Sequence, residues 1–467
     1  MKRIAIIGGG VAGVAAAYEL AQRARNGAAV QVVLFEALPR LGGIVETVRE
    51  GGFVMECGPD AWVTEKPWAR ELAEELGLGE EVIASKDAGR KTYVLIGNQL
   101  QAMPDGMRMM VPTDLDALDA SALFSAEAKQ AYRDEVGRAE ELKAGAPQQD
   151  ESVGEFVRRH FGEEVLEKIG APLLSGVFGG DVAKLSARAV MAPFVAMERE
   201  HGSLIVALQA RATSKSKSTS IFTTLRSGLG TLVDRMIAAI PTDWVRLGAA
   251  VRFVSCGEEG WLVGTAKEVE RFDAVMMATP THVARSLLEP VDAGAAELMK
   301  MEASSAVVVG FGFPDAVNLS LPPGFGFLVP PGSGSRLLAC TFVDQKFDDR
   351  APQGGRVVRT FFGGAAAERL MNCGNDEAAA VARLELAGIL GPLPEPQVTV
   401  VRRWPRSLPQ YGVGHLERMA ELDARVKALD GLCLLGNGYR GVGIPDLVRD
   451  ARAAARQITG HQITDRG

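Results

Sequence analysis

Cysteine and histidine are both scarce in this chain of 467 residues, at five each. Cys57, Cys256, Cys340, Cys373 and Cys433 lie far apart with no CxxC pair. A disulfide framework and a cysteine zinc site are therefore not expected, and a reducing cytoplasm fits. His160, His201, His282, His415 and His461 form no HExxH motif or close pair, so a histidine metal site is not expected either. Positive charge is not in excess. Lys+Arg is 51 against 58 for Asp+Glu, a net charge of −7. That is the opposite of a nucleic-acid binder's basic footprint, and no nucleic-acid partner is expected. No apolar run approaches the roughly 18 residues of a membrane span. The chain opens Met-Lys-Arg and passes directly into an apolar strand, so no signal peptide is expected. What is present is ordinary for a globular protein, 47% apolar and 23% charged residues, at a length that suits two or three domains.

The clearest signal is at the start. Arg3 to Ile7 (RIAII) reads as a short buried strand, and Gly8-Gly9-Gly10-Val11-Ala12-Gly13 follows as a GxGxxG loop. A helix rich in Ala, Leu and Glu is expected over 11–25. A second strand over 30–35 (VQVVLF) ends at Glu36, with Ala37 beside it, 23 positions after Gly13. Each glycine has a physical task in a dinucleotide site: Gly8 for the tight turn, Gly10 for approach of a pyrophosphate to the backbone, Gly13 for close helix–strand packing. The helix N-terminus offers free N–H groups and a positive dipole end to phosphate, and Glu36 can accept hydrogen bonds from ribose hydroxyls. Arg40-Leu41-Gly42-Gly43 comes directly after the acid, with Thr47 close behind. This second loop resembles the extended FAD signature of glutathione-reductase-like flavoproteins, and a nicotinamide enzyme has no need of it.

The expected fold class is α/β: a Rossmann-like FAD-binding domain, an α+β substrate domain and an α-helical insertion. The FAD domain is read in three pieces, 1–85, 211–280 and 404–467. The middle piece contains strands over 251–254 and 272–279. The last holds a strand over 432–435 and the loop from Gly436 to Asp446, which feeds an Ala/Arg-rich helix. That helix N-terminus is expected to face the flavin pyrimidine and stabilise the reduced, anionic ring. Residues 86–111 and 281–403 are assigned to the substrate domain, with short strands over 306–313, 337–343 and 357–362. Residues 112–210 form the helical insertion, with helices over 126–142 and 153–169. The stretch 211–220 (RATSKSKSTS) reads as an exposed connection.

Several motifs carry a resemblance over nearly the whole chain. They are Gly58-Pro59-Asp60, the Arg90-x-x-Tyr93-Val94 segment, Ser175 to Asp181 (SGVFGGD) followed by Leu185-Ser186, Trp404 with Leu408 to Tyr411 and Gly414-His415, and Gly441 to Asp446 (GVGIPD). In these the chain resembles the FAD-dependent porphyrinogen oxidases of haem biosynthesis, within the amine-oxidase superfamily. It departs from the pattern at Trp62, where Phe is usual, and at Leu447, where Cys often follows the terminal Asp. GPD and GVGIPD look like the type that oxidises coproporphyrinogen III rather than protoporphyrinogen IX.

The resemblance implies non-covalent FAD and no metal. It implies a six-electron oxidation of porphyrinogen to porphyrin, two electrons per flavin cycle, with O2 as acceptor and H2O2 as product. By position, Gly8, Gly9, Gly10, Val11, Ala12 and Gly13 would line the pyrophosphate and Glu36 the ribose. Arg40 and Gly43 would border the flavin, with Gly58, Pro59 and Asp60 near its ring. Val251 would meet adenine through its backbone, and Trp404, Val442, Gly443 and Ile444 would lie along the flavin. Arg90 would pair with a substrate propionate, and Gly176 would leave room for the macrocycle. The chemistry is flavin-centred, so no catalytic side chain is expected. A downstream ferrochelatase contact, a peripheral contact at the inner face of the membrane, and the choice between monomer and homodimer stay open, with the cytoplasm as the expected location. Two rivals stand beside this reading. One is another flavin oxidase of the superfamily, an amine oxidase or carotenoid desaturase, although an aromatic content of 6% does not suggest an amine oxidase's aromatic cage. The other is a non-catalytic porphyrin-binding flavoprotein.

Overall fold

The computed structural model describes residues 1–214, 220–314, 319 and 321–460. Of the stretch read as an exposed connection, 215–219 lies outside the described residues, and 211–214 ends the helix Leu204–Ser214.

Five short strands form a parallel sheet in the order Val245–Arg246, Val30–Phe35, Lys2–Ile7, Ala274–Met277, Leu432–Leu434. They are apolar runs because both faces are covered. On one face pack the helices Val11–Arg25, Gly230–Ala238 and Ile444–Ile458. Glu19, buried in the first of these, pairs with Arg452 at 2.8 Å and Arg456 at 3.0 Å on the last. The other face carries an antiparallel meander, Phe253–Gly257, Gly260–Gly264 and Val269–Phe272, whose Trp261 and Phe272 reach the same cluster as Ile7 and Phe35. Two sequence expectations change here. The strand expected over 251–254 starts later, as Phe253–Gly257 of this meander, and the parallel sheet takes the unexpected strand Val245–Arg246 instead. The single strand expected over 272–279 is two, broken at Asp273, where the carboxylate accepts the Arg3 N–H at 2.6 Å.

A seven-stranded sheet forms the second body, in the order Val398–Pro409, Ala303–Phe313, Arg356–Phe362, Ala339–Phe342, Gly326–Leu328, Thr92–Ile96, Gln99–Ala102. Only the Gly326–Leu328 and Thr92–Ile96 pair is parallel. The helices Gly364–Leu370 and Asn375–Leu390 cover one face, where Val358, Phe362 and Val401 are buried. By strand alternation, Val357 and Arg359, and likewise Val400, Arg402 and Trp404, face the opposite side. There the hairpin Thr47–Glu50 and Phe53–Glu56 of the first body meets them. Gly310 and Gly312 permit this approach, because a Cβ on either would stand within 2.9 Å of Met55 or Phe53. The boundary drawn between 403 and 404 falls inside the strand Val398–Pro409. The helices Thr281–Leu288 and Ala293–Leu298 pack on the parallel sheet rather than with the substrate domain.

The helical insertion runs from Leu115–Ala120 to Leu204–Ser214 around its own apolar cluster. The helix expected over 126–142 divides into Ala126–Gly137 and Ala139–Ala144. The one expected over 153–169 is interrupted at Gly162, which adopts φ +84, and resumes as Glu163–Val165 and Leu166–Gly170. Among the described residues no helix is long and apolar enough to cross a membrane.

Candidate functional site

The loops that leave the carboxyl ends of the parallel strands converge, which is where an open α/β sheet binds its ligand. Chain order reverses between Lys2–Ile7 and Ala274–Met277, and at this switch point the glycine loop faces Thr279. A Cβ on Gly8 would sit 2.6 Å from the Ala278 carbonyl, and one on Gly13 would collide with the Gly8 carbonyl, so both are fixed by packing. A Cβ on Gly10 would meet nothing within 4 Å. Gly10 caps the helix Val11–Arg25, which has no side-chain cap and no acid in its first turn, so its leading N–H groups and dipole end are free for an anion. Thr279 Oγ1 is buried beside this loop without a hydrogen-bond partner among the described residues.

Glu36 does more than wait for a ribose. Its carboxylate accepts the Gly9 N–H at 2.6 Å and the Leu38 N–H at 2.7 Å, which ties the glycine loop to the end of the second strand. Ala37, next to it, is exposed. The Ala249 N–H donates to the Glu36 carbonyl at 2.8 Å, which brings the segment leading to Val251 alongside the end of the second strand. The Arg40–Gly43 loop docks on the first: the Gly42 N–H donates to the Gly9 carbonyl at 2.8 Å, and a Cβ on Gly43 would lie 3.1 Å from Gly10 Cα.

Arg40 donates to the Gly43 carbonyl at 2.6 Å and pairs with Glu46 at 3.1 Å. Glu46 is also held by Arg402 Nε at 2.9 Å, and the Arg402 hydrogen bonds keep its carboxyl below the usual range. The Trp404 indole donates to the Cys57 carbonyl at 2.7 Å. Gly58 packs on the Ile44 carbonyl, and its own carbonyl accepts from Arg359. Pro59 follows, and the Asp60 carboxylate accepts from Lys346 Nζ at 2.9 Å. Thr47 is drawn to Glu56 at 2.7 Å and accepts the Gly230 N–H at 2.8 Å. Gly443 caps the helix Ile444–Ile458, and Val442 stands just before it. The loop ahead is braced by Tyr411, whose hydroxyl donates to the Asn437 carbonyl at 2.5 Å and accepts the Gly441 N–H at 3.1 Å. Tyr411 stacks on His415 at 3.9 Å, and burial pushes that imidazole down to about 4, so it is neutral near pH 7 and donates from Nε2 to the Tyr439 carbonyl.

Hydrogen bonds thus join the Gly8–Gly13 loop to Glu36 and to the Arg40–Gly43 loop, and Trp404 to the Cys57–Gly58 segment. Arg90 stands just before the strand Thr92–Ile96 of the seven-stranded sheet, and Gly176 stands in the helical insertion. Arg90 is half-buried. Its guanidinium reaches only the Met107 carbonyl, at 3.5 Å, and it enters no ion pair among the described residues. Burial and the neighbouring Arg108 both lower its pKa from the ordinary value. Gly176 lies in the helix Ala171–Phe178, and a Cβ there would meet nothing within 4 Å. Gln410 Nε2 donates to the Phe178 carbonyl at 2.6 Å, tying that helix to the strand that carries Trp404. Sequence reasoning missed Glu46, Arg402, Lys346 and Arg359. The signal available for the two arginines was their strand parity with Trp404 and Val357.

An open diphosphate cradle, a free helix N-terminus and an acid at the second strand's end fit FAD, and the molecule is built as a flavin enzyme. The model of the flavin containing amine oxidoreductases matches residues 11–459, and the chain belongs to that family. It is an FAD-dependent oxidase. It is similar to the coproporphyrinogen III oxidase of Bacillus subtilis, at 32% identity over 97% of each chain, and to that of Staphylococcus aureus, at 27% identity over 98% of this chain and 99% of the relative. A crystal structure of a provisionally named protoporphyrinogen oxidase from Exiguobacterium sp. 255-15 matches with a TM-score of 0.86 and 31% identity, covering 99% of both chains.

Proposed function

We propose that this enzyme oxidises a porphyrinogen to the porphyrin in haem biosynthesis, with coproporphyrinogen III as the preferred substrate. The reading is carried by the end-to-end likeness to the Bacillus subtilis coproporphyrinogen III oxidase. The unpaired, half-buried Arg90 and the open space at Gly176 support it. Each of three rounds removes two electrons and two protons from the macrocycle, and O2 takes them up as H2O2.

FAD held in the cleft supplies the two-electron oxidation. The chain's part is to bind and orient. The Gly8–Gly13 loop and the helix N-terminus at Val11 and Ala12 hold the diphosphate, Glu36 the ribose, and the backbone at Val251 the adenine. Arg40, Gly43, Trp404, Val442, Gly443 and Ile444 border the ring, with Gly58, Pro59 and Asp60 beside it. Arg90 receives a substrate propionate, which a guanidinium binds through two parallel hydrogen bonds. No side chain needs to act as base: of the three protons that accompany the three hydrides, two leave from pyrrole N–H groups to solvent, and the remaining meso hydrogen leaves the same way after tautomerisation to nitrogen.

In air, holoenzyme given coproporphyrinogen III is expected to generate porphyrin fluorescence. Arg90→Ala should raise KM at least tenfold and leave the flavin spectrum unchanged. Bound flavin with no porphyrinogen turnover, but with turnover of benzylamine, would overturn the reading.

A further inference from the structure

Five ionisable side chains converge on the sheet side of the Cys57–Asp60 segment. Asp60 Oδ2 lies 2.9 Å from Lys346 Nζ and 3.5 Å from Arg359 Nη1. Glu56 lies 3.8 Å from Arg350 and accepts the Leu229 N–H at 2.7 Å. Glu56, Lys346, Arg350 and Arg359 are buried. Burial would raise the Asp60 carboxyl, but Lys346 and Arg359 overcome it and hold the group at about 2, so its negative charge is permanent near neutral pH. Burial raises Glu56, and any loss of its charge adds to the positive side. Three buried cations therefore face two carboxylates, and the third acid that acts on Arg350, Asp349, is exposed and already paired with Arg226. In such a region, shielded from water, a charge acts over several ångströms with little screening. A structural ion cluster alone has no need of that excess.

We propose that the cluster tunes the flavin: its positive excess, carried by Lys346 and opposed by Asp60, stabilises the reduced, anionic ring and raises its potential. This rests on the placement of Gly58, Pro59 and Asp60 beside the ring under the proposed function. Lys346 is a positioning residue, since it acts through the field and through Asp60 without touching substrate. The structure offers a mild substitution. Lys346 Nζ lies 4.6 Å from the Phe222 ring and 5.1 Å from that of Phe347, so a methionine there keeps an apolar packing surface.

The test is the flavin midpoint potential of the holoenzyme, titrated anaerobically against a reference dye. Lys346→Met should favour oxidised flavin at least tenfold, about 30 mV downward for a two-electron couple. Asp60→Asn should move the potential upward, the double variant should return toward wild type, and Lys346→Arg should keep the wild-type value. If the two single variants shift in the same direction, or if Lys346→Arg behaves like Lys346→Met, the inference is wrong and the cluster is only structural. If either single variant fails to retain FAD, the comparison of Lys346→Arg with wild type decides. Failure of the wild type itself to bind flavin would overturn the proposed function instead.

Discussion

Single atoms separate the glycines of the first loop into two kinds. Gly13 is a packing glycine, because its missing Cβ leaves room for the Gly8 carbonyl. Gly10 is of the other kind: its φ of −70 suits any residue and its missing Cβ opens onto free space, as the proposed diphosphate site requires. Gly13→Ala should therefore cost about 1–3 kcal/mol of stability by forced overpacking, read by denaturant unfolding of the apoprotein. Gly10→Val should leave that unfolding curve within about 0.5 kcal/mol of wild type and weaken FAD binding at least tenfold by fluorescence titration. The motif's spacing was legible because its contacts are local. The Asp60–Lys346 and Glu46–Arg402 pairs were not, because 286 and 356 residues separate the partners and each acid reads in isolation as a surface charge.

Elements obey the same division. Strand alternation carries Arg359 to Gly58 and Arg402 to Glu46, but it becomes readable only once the buried face is known. A continuous run such as Val307 to Phe313 looks the same from either side. Helix breaks escaped for a related reason: apolar spacing continues across Gly162, while the backbone there does not. The helical insertion holds a second buried charge system. His160 lies 3.1 Å from Glu135 on the helix Ala126–Gly137 and 3.2 Å from Glu198 on the helix Ala192–His201. Burial lowers its pKa, but the hydrogen bonds to the two carboxylates outweigh burial and leave it raised. A raised folded pKa stabilises fully below the unfolded value of about 6.5, and that contribution is lost as pH rises through the folded value. In thermal melts from about pH 6 to 9, the advantage of wild type over His160→Gln should shrink steadily. A gap that stays constant or widens with pH would contradict the assignment.

At the scale of the whole molecule, the residues to which the proposed function gives the cofactor come from both bodies. The parallel sheet contributes the glycine loops, Glu36 and the Gly443 helix, while the seven-stranded sheet contributes Trp404. Because its strand Val398–Pro409 crosses the domain junction, a boundary drawn from motif positions misplaced it. FAD bound to the folded state alone should stabilise the whole by about 2.7 kcal/mol at a hundredfold excess over Kd. Under the proposed function, the net charge of −7 would repel the anionic porphyrinogen at long range, and capture would fall to local cations such as Arg90.

The most direct test of the central claim is anaerobic mixing of the holoenzyme with coproporphyrinogen III and, in parallel, with protoporphyrinogen IX, following flavin bleaching and porphyrin absorbance. The account predicts flavin reduction with matched porphyrinogen oxidation, recovery of oxidised flavin and continued turnover on admitting O2, and a higher kcat/KM for coproporphyrinogen III. Flavin that stays oxidised with both porphyrinogens would contradict it.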